Sequence, residues 1–123
     1  MIEFALDRAN DVVLIGFNED INRESMTAFD AKLRLFVARH GLVDVIMDFT
    51  HAKAPIDSAL VVDRGRSASL VPGRRRVFVA PGDHLYGMLR MYGAYQDQPP
   101  ILVRTPEQAI RALGLSNPTF TPC

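Results

Sequence analysis

The sequence predicts a single-domain α/β fold, with an N-terminal β-hairpin followed by alternating helices and strands and a mostly parallel central sheet packed by four helices. Three observations lead to it. Strand-like runs alternate with amphipathic stretches from Val12 onward. Each connection between successive strands after the hairpin is long enough to hold a helix, as parallel pairing requires. Of the 123 residues, 48% are hydrophobic, enough for one core that needs neither disulfide nor metal.

Ile2 to Leu6 and Val12 to Phe17 read as strands, joined by Arg8-Ala9-Asn10-Asp11, whose asparagine and aspartate tolerate tight-turn geometry. Asn22 is placed to cap a helix from about Arg23 to Arg39, with Met26, Phe29, Leu33, Phe36 and Val37 on one stripe and Gly41 as its stop. Val43 to Phe49 is the β-branched, largely apolar run of a central strand. After the loop His51 to Pro55, a second helix is expected from Asp57 or Ser58 to Val71, weakened by Gly65 and ended by Pro72-Gly73. Val77 to Ala80 reads as a buried strand, and Asp83 as the cap of a third helix carrying Leu85, Met88, Leu89 and Tyr92. Pro99-Pro100 confine Ile101-Leu102-Val103 to a strand start or sheet edge. Thr105-Pro106-Glu107-Gln108 opens a last helix that should end at Gly114. The domain is expected over residues 1–114, followed by a fraying tail from Leu115 to Cys123.

Fourteen basic and fourteen acidic side chains cancel overall, but 11 acidic and 6 basic groups fall in residues 1–63 against 3 and 8 in residues 64–123. Five arginines lie between Arg64 and Arg76, where planar forks suit carboxylate or phosphate. A solvated helix face is the favoured reading, since a pI near 6.8 lacks the basic excess of a nucleic-acid binder. Charges interrupt every apolar stretch, arguing against an integral membrane segment, and Met1-Ile2-Glu3-Phe4 does not resemble the start of a signal peptide, so a cytoplasmic protein is expected. The sole cysteine, Cys123, leaves no intrachain disulfide and no cysteine zinc site.

Partners of open α/β sheets meet the loops beyond the strand C-terminal ends, which directs attention to Thr50 to Ser58 and Pro81 to His84. At the start of the second helix, the Ser58 hydroxyl would lie among unpaired backbone N–H groups, where a phosphate would be favoured. A plain capping role for Asp57 or Ser58 fits the same residues.

These residues and the element order resemble the STAS domains of bacterial anti-sigma-factor antagonists and stressosome components, over nearly the whole chain. The matching pieces are Val45-Ile46-Met47-Asp48-Phe49-Thr50, Asp57-Ser58-Ala59-Leu60, Val77-Phe78-Val79-Ala80 and Thr105-Pro106-Glu107-Gln108-Ala109-Ile110. The resemblance implies a non-catalytic regulatory module without cofactor that binds a protein partner, such as an anti-sigma factor, a kinase-like protein or another regulator, and is switched by serine phosphorylation. A gapless count from Asp48 puts Ser58 at the phosphoacceptor position; matching Asp-Ser directly puts Ala59 there. The expected docking residues are Thr50, Asp57 and Ser58, joined by Arg64 and Arg66 about 9 and 12 Å further along the helix.

The segment Val77 to Tyr92 is also similar to the STAS/Sec14-like branch. The alternative function is accordingly a small-molecule or lipid carrier or sensor, its ligand held between the third helix and the sheet near Tyr86, Met88 and Tyr92. Gly87 and Gly93 would allow close approach of another surface, including a second copy in a homodimer. Other chemistry is thinner. His40, His51 and His84 are too scattered for a local metal motif. A hydrolytic triad of Ser58, His84 and Asp48 would have to form without a Gly-x-Ser-x-Gly elbow, and the chain lacks the Walker and Gly-x-Gly-x-x-Gly phosphate loops.

Overall fold

The computed structural model describes residues 2–53 and 56–123. The strands are β1 (Ile2–Asp7), β2 (Val12–Phe17), β3 (Asp44–Asp48), β4 (Arg76–Val79), β5 (Ile101–Val103) and β6 (Thr121–Pro122), and the helices α1 (Arg23–His40), α2 (Ser58–Gly65), α3 (Asp83–Ala94) and α4 (Pro106–Leu113). The sheet order is β5-β4-β3-β2-β1-β6. Pairing is parallel from β2 to β5 and antiparallel on both sides of β1. As expected, β3 is internal and the proline-preceded β5 is an edge.

Alternating side chains divide the core into two layers. Val13, Ile15, Val45, Met47 and Phe78 face α1, α2 and α3, whose Met26, Phe29, Leu33, Leu60, Val61 and Leu89 complete the larger cluster. On the other face Val12, Ile46, Val77 and Val79 pack against Ala109 and Leu113 of α4. Aromatic rings run through the larger layer, where Phe17 stacks on Phe49 at 4.6 Å between centroids.

Local signals set most helix ends. Asn22 Oδ1 accepts the Ser25 N–H while Ser25 Oγ accepts the Asn22 N–H, a closed capping box. Thr105 and Gln108 form the equivalent box on α4. The carbonyl end of α4 is closed by Gly114 in the left-handed region at φ 64°, a conformation costly for side-chain-bearing residues.

Three expectations are corrected. The second helix stops at Gly65 rather than Val71, because the Gln96 side-chain amide donates to the Gly65 and Ser67 carbonyls and takes the Gly65 acceptor that a further turn would use. Asp83 is the first helical residue of α3 and not its cap; Gly82 holds the cap position, and the Asp83 carboxylate faces Arg104 at 2.8 Å. The stretch after Leu115 does not hang loose. Thr121 and Pro122 pair with Leu6 and Ala5, the Cys123 N–H donates to the Phe4 carbonyl, and the Thr119 N–H donates to the Asp7 carboxylate.

Candidate partner-docking site

The C-terminal ends of β2, β3, β4 and β5 share one rim of the sheet, and the loops leaving it carry the expected site residues. Asp48 ends β3 and folds the chain back: its carboxylate accepts the Thr50 N–H at 2.9 Å and the Thr50 hydroxyl at 2.5 Å. The loop is tied down by the Ala52 N–H to the Phe49 carbonyl, the Lys53 N–H to the Glu19 carbonyl, and an isolated parallel bridge between Asp20 and Lys53. Ala54 and Pro55, part of the expected docking loop, lie outside the described residues.

Ile56 turns inward and is buried, so the next two side chains emerge at the surface. Asp57 is the cap of α2, its carboxylate accepting the Ala59 N–H at 2.9 Å. This leaves Ser58 as the first helical residue, exposed, its hydroxyl in no hydrogen bond among the described residues. Of the two residues able to cap the helix, Asp57 does so.

Further along α2 the two arginines diverge. Arg64 turns to α1 and grips Asp30 with both guanidinium nitrogens, at 3.0 and 2.8 Å. Arg66 stays exposed, its guanidinium 5.2 Å from the centre of the Tyr95 ring. Exposed residues of α2 and its cap also include Ala59 and Asp63, with Asp63 paired to Arg23 at 2.7 Å. The four-residue spacing of Ala59 and Asp63 puts them on one face of the helix, a signal legible in the sequence.

The remaining arginines of the 64–76 group do not form a helix face. Arg74 and Arg75 converge on the buried Asp44, whose carboxylate also accepts the Arg75 N–H, and Arg76 donates to the Tyr92 hydroxyl, Gln96 and the Gln98 carbonyl. The carboxylate that these forks suit is an internal one.

Tyr86, Met88 and Tyr92 are not gathered around one cavity. Tyr86 lies under the Arg104 guanidinium at 3.8 Å and Met88 packs half-buried on the core, whereas Tyr92 lines a cavity shared with α1 and α2. A Cβ at Gly93 would lie 3.4 Å from Pro99 within the same chain, while one at Gly87 would meet open space. Asp48 spends its carboxylate on Thr50, and no hydrogen bond joins it to Ser58 or His84 among the described residues. No group of three or more metal-ligating side chains occurs among the described residues, and no helix there is long and apolar enough to cross a membrane.

A solved structure of the anti-sigma factor antagonist SpoIIAA in its unphosphorylated form superposes with a TM-score of 0.61, covering 95% of this chain and all of that one, at 17% identity. The chain has the STAS fold. No family model matches its sequence, and no curated protein does. In this STAS fold the rim bearing Thr50, Asp57 and Ser58 lies beyond the parallel strand ends, as the sequence led one to expect.

Proposed function

We propose that this STAS-fold protein is a non-catalytic regulatory module whose docking surface runs from Thr50 through Asp57 and Ser58 along the outer side of α2 to Arg66. The exposed Ser58 hydroxyl, free because Asp57 performs the capping, carries this reading. The likeness to SpoIIAA, an anti-sigma factor antagonist, supports a protein partner of the regulatory kind. Arg64 is left out of the surface because Asp30 holds it.

Ser58 is the phosphoacceptor in this proposal. A phosphate there adds about 1.5 to 2 negative charges next to the Asp57 carboxylate and would repel an acidic partner or one already seated on that carboxylate. It has no mechanical work to do inside the fold, since the hydroxyl holds nothing there.

The test pairs the purified protein with candidate anti-sigma kinases. Intact-mass analysis after incubation with ATP should show a single added phosphate in the wild type and none in Ser58→Ala, and Ser58→Asp should bind the partner more weakly than wild type. Binding that is indifferent to Ser58→Asp, Asp57→Ala and Arg66→Ala together would dismiss this surface.

A further inference from the structure

Beneath α2, on the side away from Ser58, lies a cavity of about 220 Å³. Protein interiors hold few voids larger than a water molecule, so an opening of this size stands out in a small domain. Its apolar walls include Phe29 and Leu33 of α1, Val45 and Met47 of β3, and Leu60 and Val61 of α2, with further lining from β4 and α3. All six are buried.

Charge gathers among its lining residues. Arg34, Arg64, Arg76 and Asp30 all border the cavity. Arg64 and Asp30 neutralise each other. Arg76 is held only by neutral acceptors, the Tyr92 hydroxyl, the Gln96 amide oxygen and the Gln98 carbonyl. The exposed Arg34 guanidinium makes no hydrogen bond or ion pair among the described residues. The Asp30 carboxylate being taken by Arg64, two positive charges, Arg34 and Arg76, border the chamber without a carboxylate partner.

We infer that the cavity binds a small amphiphilic carboxylate, its apolar body inside and its head group on Arg34. The arginine fork matches a carboxylate in plane, and a charge-assisted contact of that kind is about twice as strong as a neutral one. Size follows from comparison: a dry cavity of about 150 Å³ lined by Leu, Ile and Phe takes benzene, so this one suits an apolar body of roughly nine carbons. Of the site expected near Tyr86, Met88 and Tyr92 only Tyr92 borders this cavity, and the cavity is independent of Ser58, which lies on the outer side of α2.

Decanoate, decanol and acetate are suitable probes for titration calorimetry on the full chain. Decanoate should bind one to one, decanol about tenfold more weakly, and acetate not measurably. Arg34→Gln, an exposed change outside the packed core, should bring decanoate down to the level of decanol. Val61→Phe fills the chamber and should remove binding of both; should that variant not fold, methyl NMR of the wild type decides instead, with decanoate shifting Leu33, Leu60 and Val61 first. The inference is overturned if decanoate fails to bind stoichiometrically, if Arg34→Gln binds it as wild type does, or if the shifted methyls lie elsewhere. None of these outcomes bears on phosphorylation or partner binding at Ser58.

Discussion

Arg64 of α2 and Asp30 of α1 close the seam between their helices in a two-pronged contact, with guanidinium nitrogens 3.0 and 2.8 Å from the two carboxylate oxygens. Side-chain exposures of 29% and 23% shield the pair from much of the solvent screening that makes surface ion pairs nearly worthless. Arg64→Ala should cost about 1 kcal/mol in urea unfolding, and a double-mutant cycle with Asp30→Ala should return most of that as coupling. Arg66→Ala, two residues on and exposed, should stay within about 0.5 kcal/mol of wild type. Equal losses at the two positions would show that the seam contributes nothing.

Gly65 permits the close approach of α2 and α3. A Cβ there would lie 2.9 Å from the Tyr92 carbonyl oxygen and 3.0 Å from the Tyr95 Cβ, neither of which swings aside easily. Gly65→Ala gains about 1 kcal/mol of helix propensity but should lose more to overpacking. A net loss of about 1 kcal/mol, or roughly 4 °C in melting temperature, is expected by calorimetry. A rise in melting temperature would mean that the two helices part without penalty.

Asp7 links the hairpin to the chain end. Its carboxylate accepts the Asn10 side-chain amide at 2.7 Å, the Asn10 N–H at 3.1 Å and the Thr119 N–H at 3.0 Å. The Asn10 side chain is the main cause, with backbone N–H groups assisting against the opposing effect of burial, of a pKa held below the ordinary 3.8. A lowered folded-state pKa contributes stability that is present above the unfolded value and fades as pH falls through the folded one. Stability should therefore decline on acidification below about pH 3.8, and Asp7→Asn should flatten that part of the acid limb in a pH series of urea melts. An unchanged limb would place the acid sensitivity in other carboxylates.

Asp57 and Ser58 should separate structure from recognition. Asp57→Ala removes the α2 cap and should cost about 1 kcal/mol. Ser58→Ala removes a hydroxyl with no partner in the fold and should change stability by less than about 0.5 kcal/mol. Thermal melts of the two variants, compared with wild type, check this ordering.

The order of strands and helices from β1 to α4, the Asn22 cap, the Thr105–Gln108 box, the stops at Gly41 and Gly114 and the edge position of β5 were all legible in the residues alone. Each is local: a cap is satisfied within three residues, a stripe repeats within a turn, and a proline restricts its own backbone. So was the placement of Asp57-Ser58 at a helix start beyond a strand end, which needs only that alternation.

Tertiary structure alone decided that α2 ends at Gly65, since Gln96 lies 31 residues away. It also turned Arg64 onto Asp30, drew Arg74 and Arg75 onto Asp44, and brought Thr121 back to β1. The cavity has the same origin, its walls contributed by segments far apart in the chain. A guanidinium or an open strand edge is satisfied by whichever group the packed core brings within reach. Local periodicity specifies that a partner is needed, and packing chooses which residue supplies it.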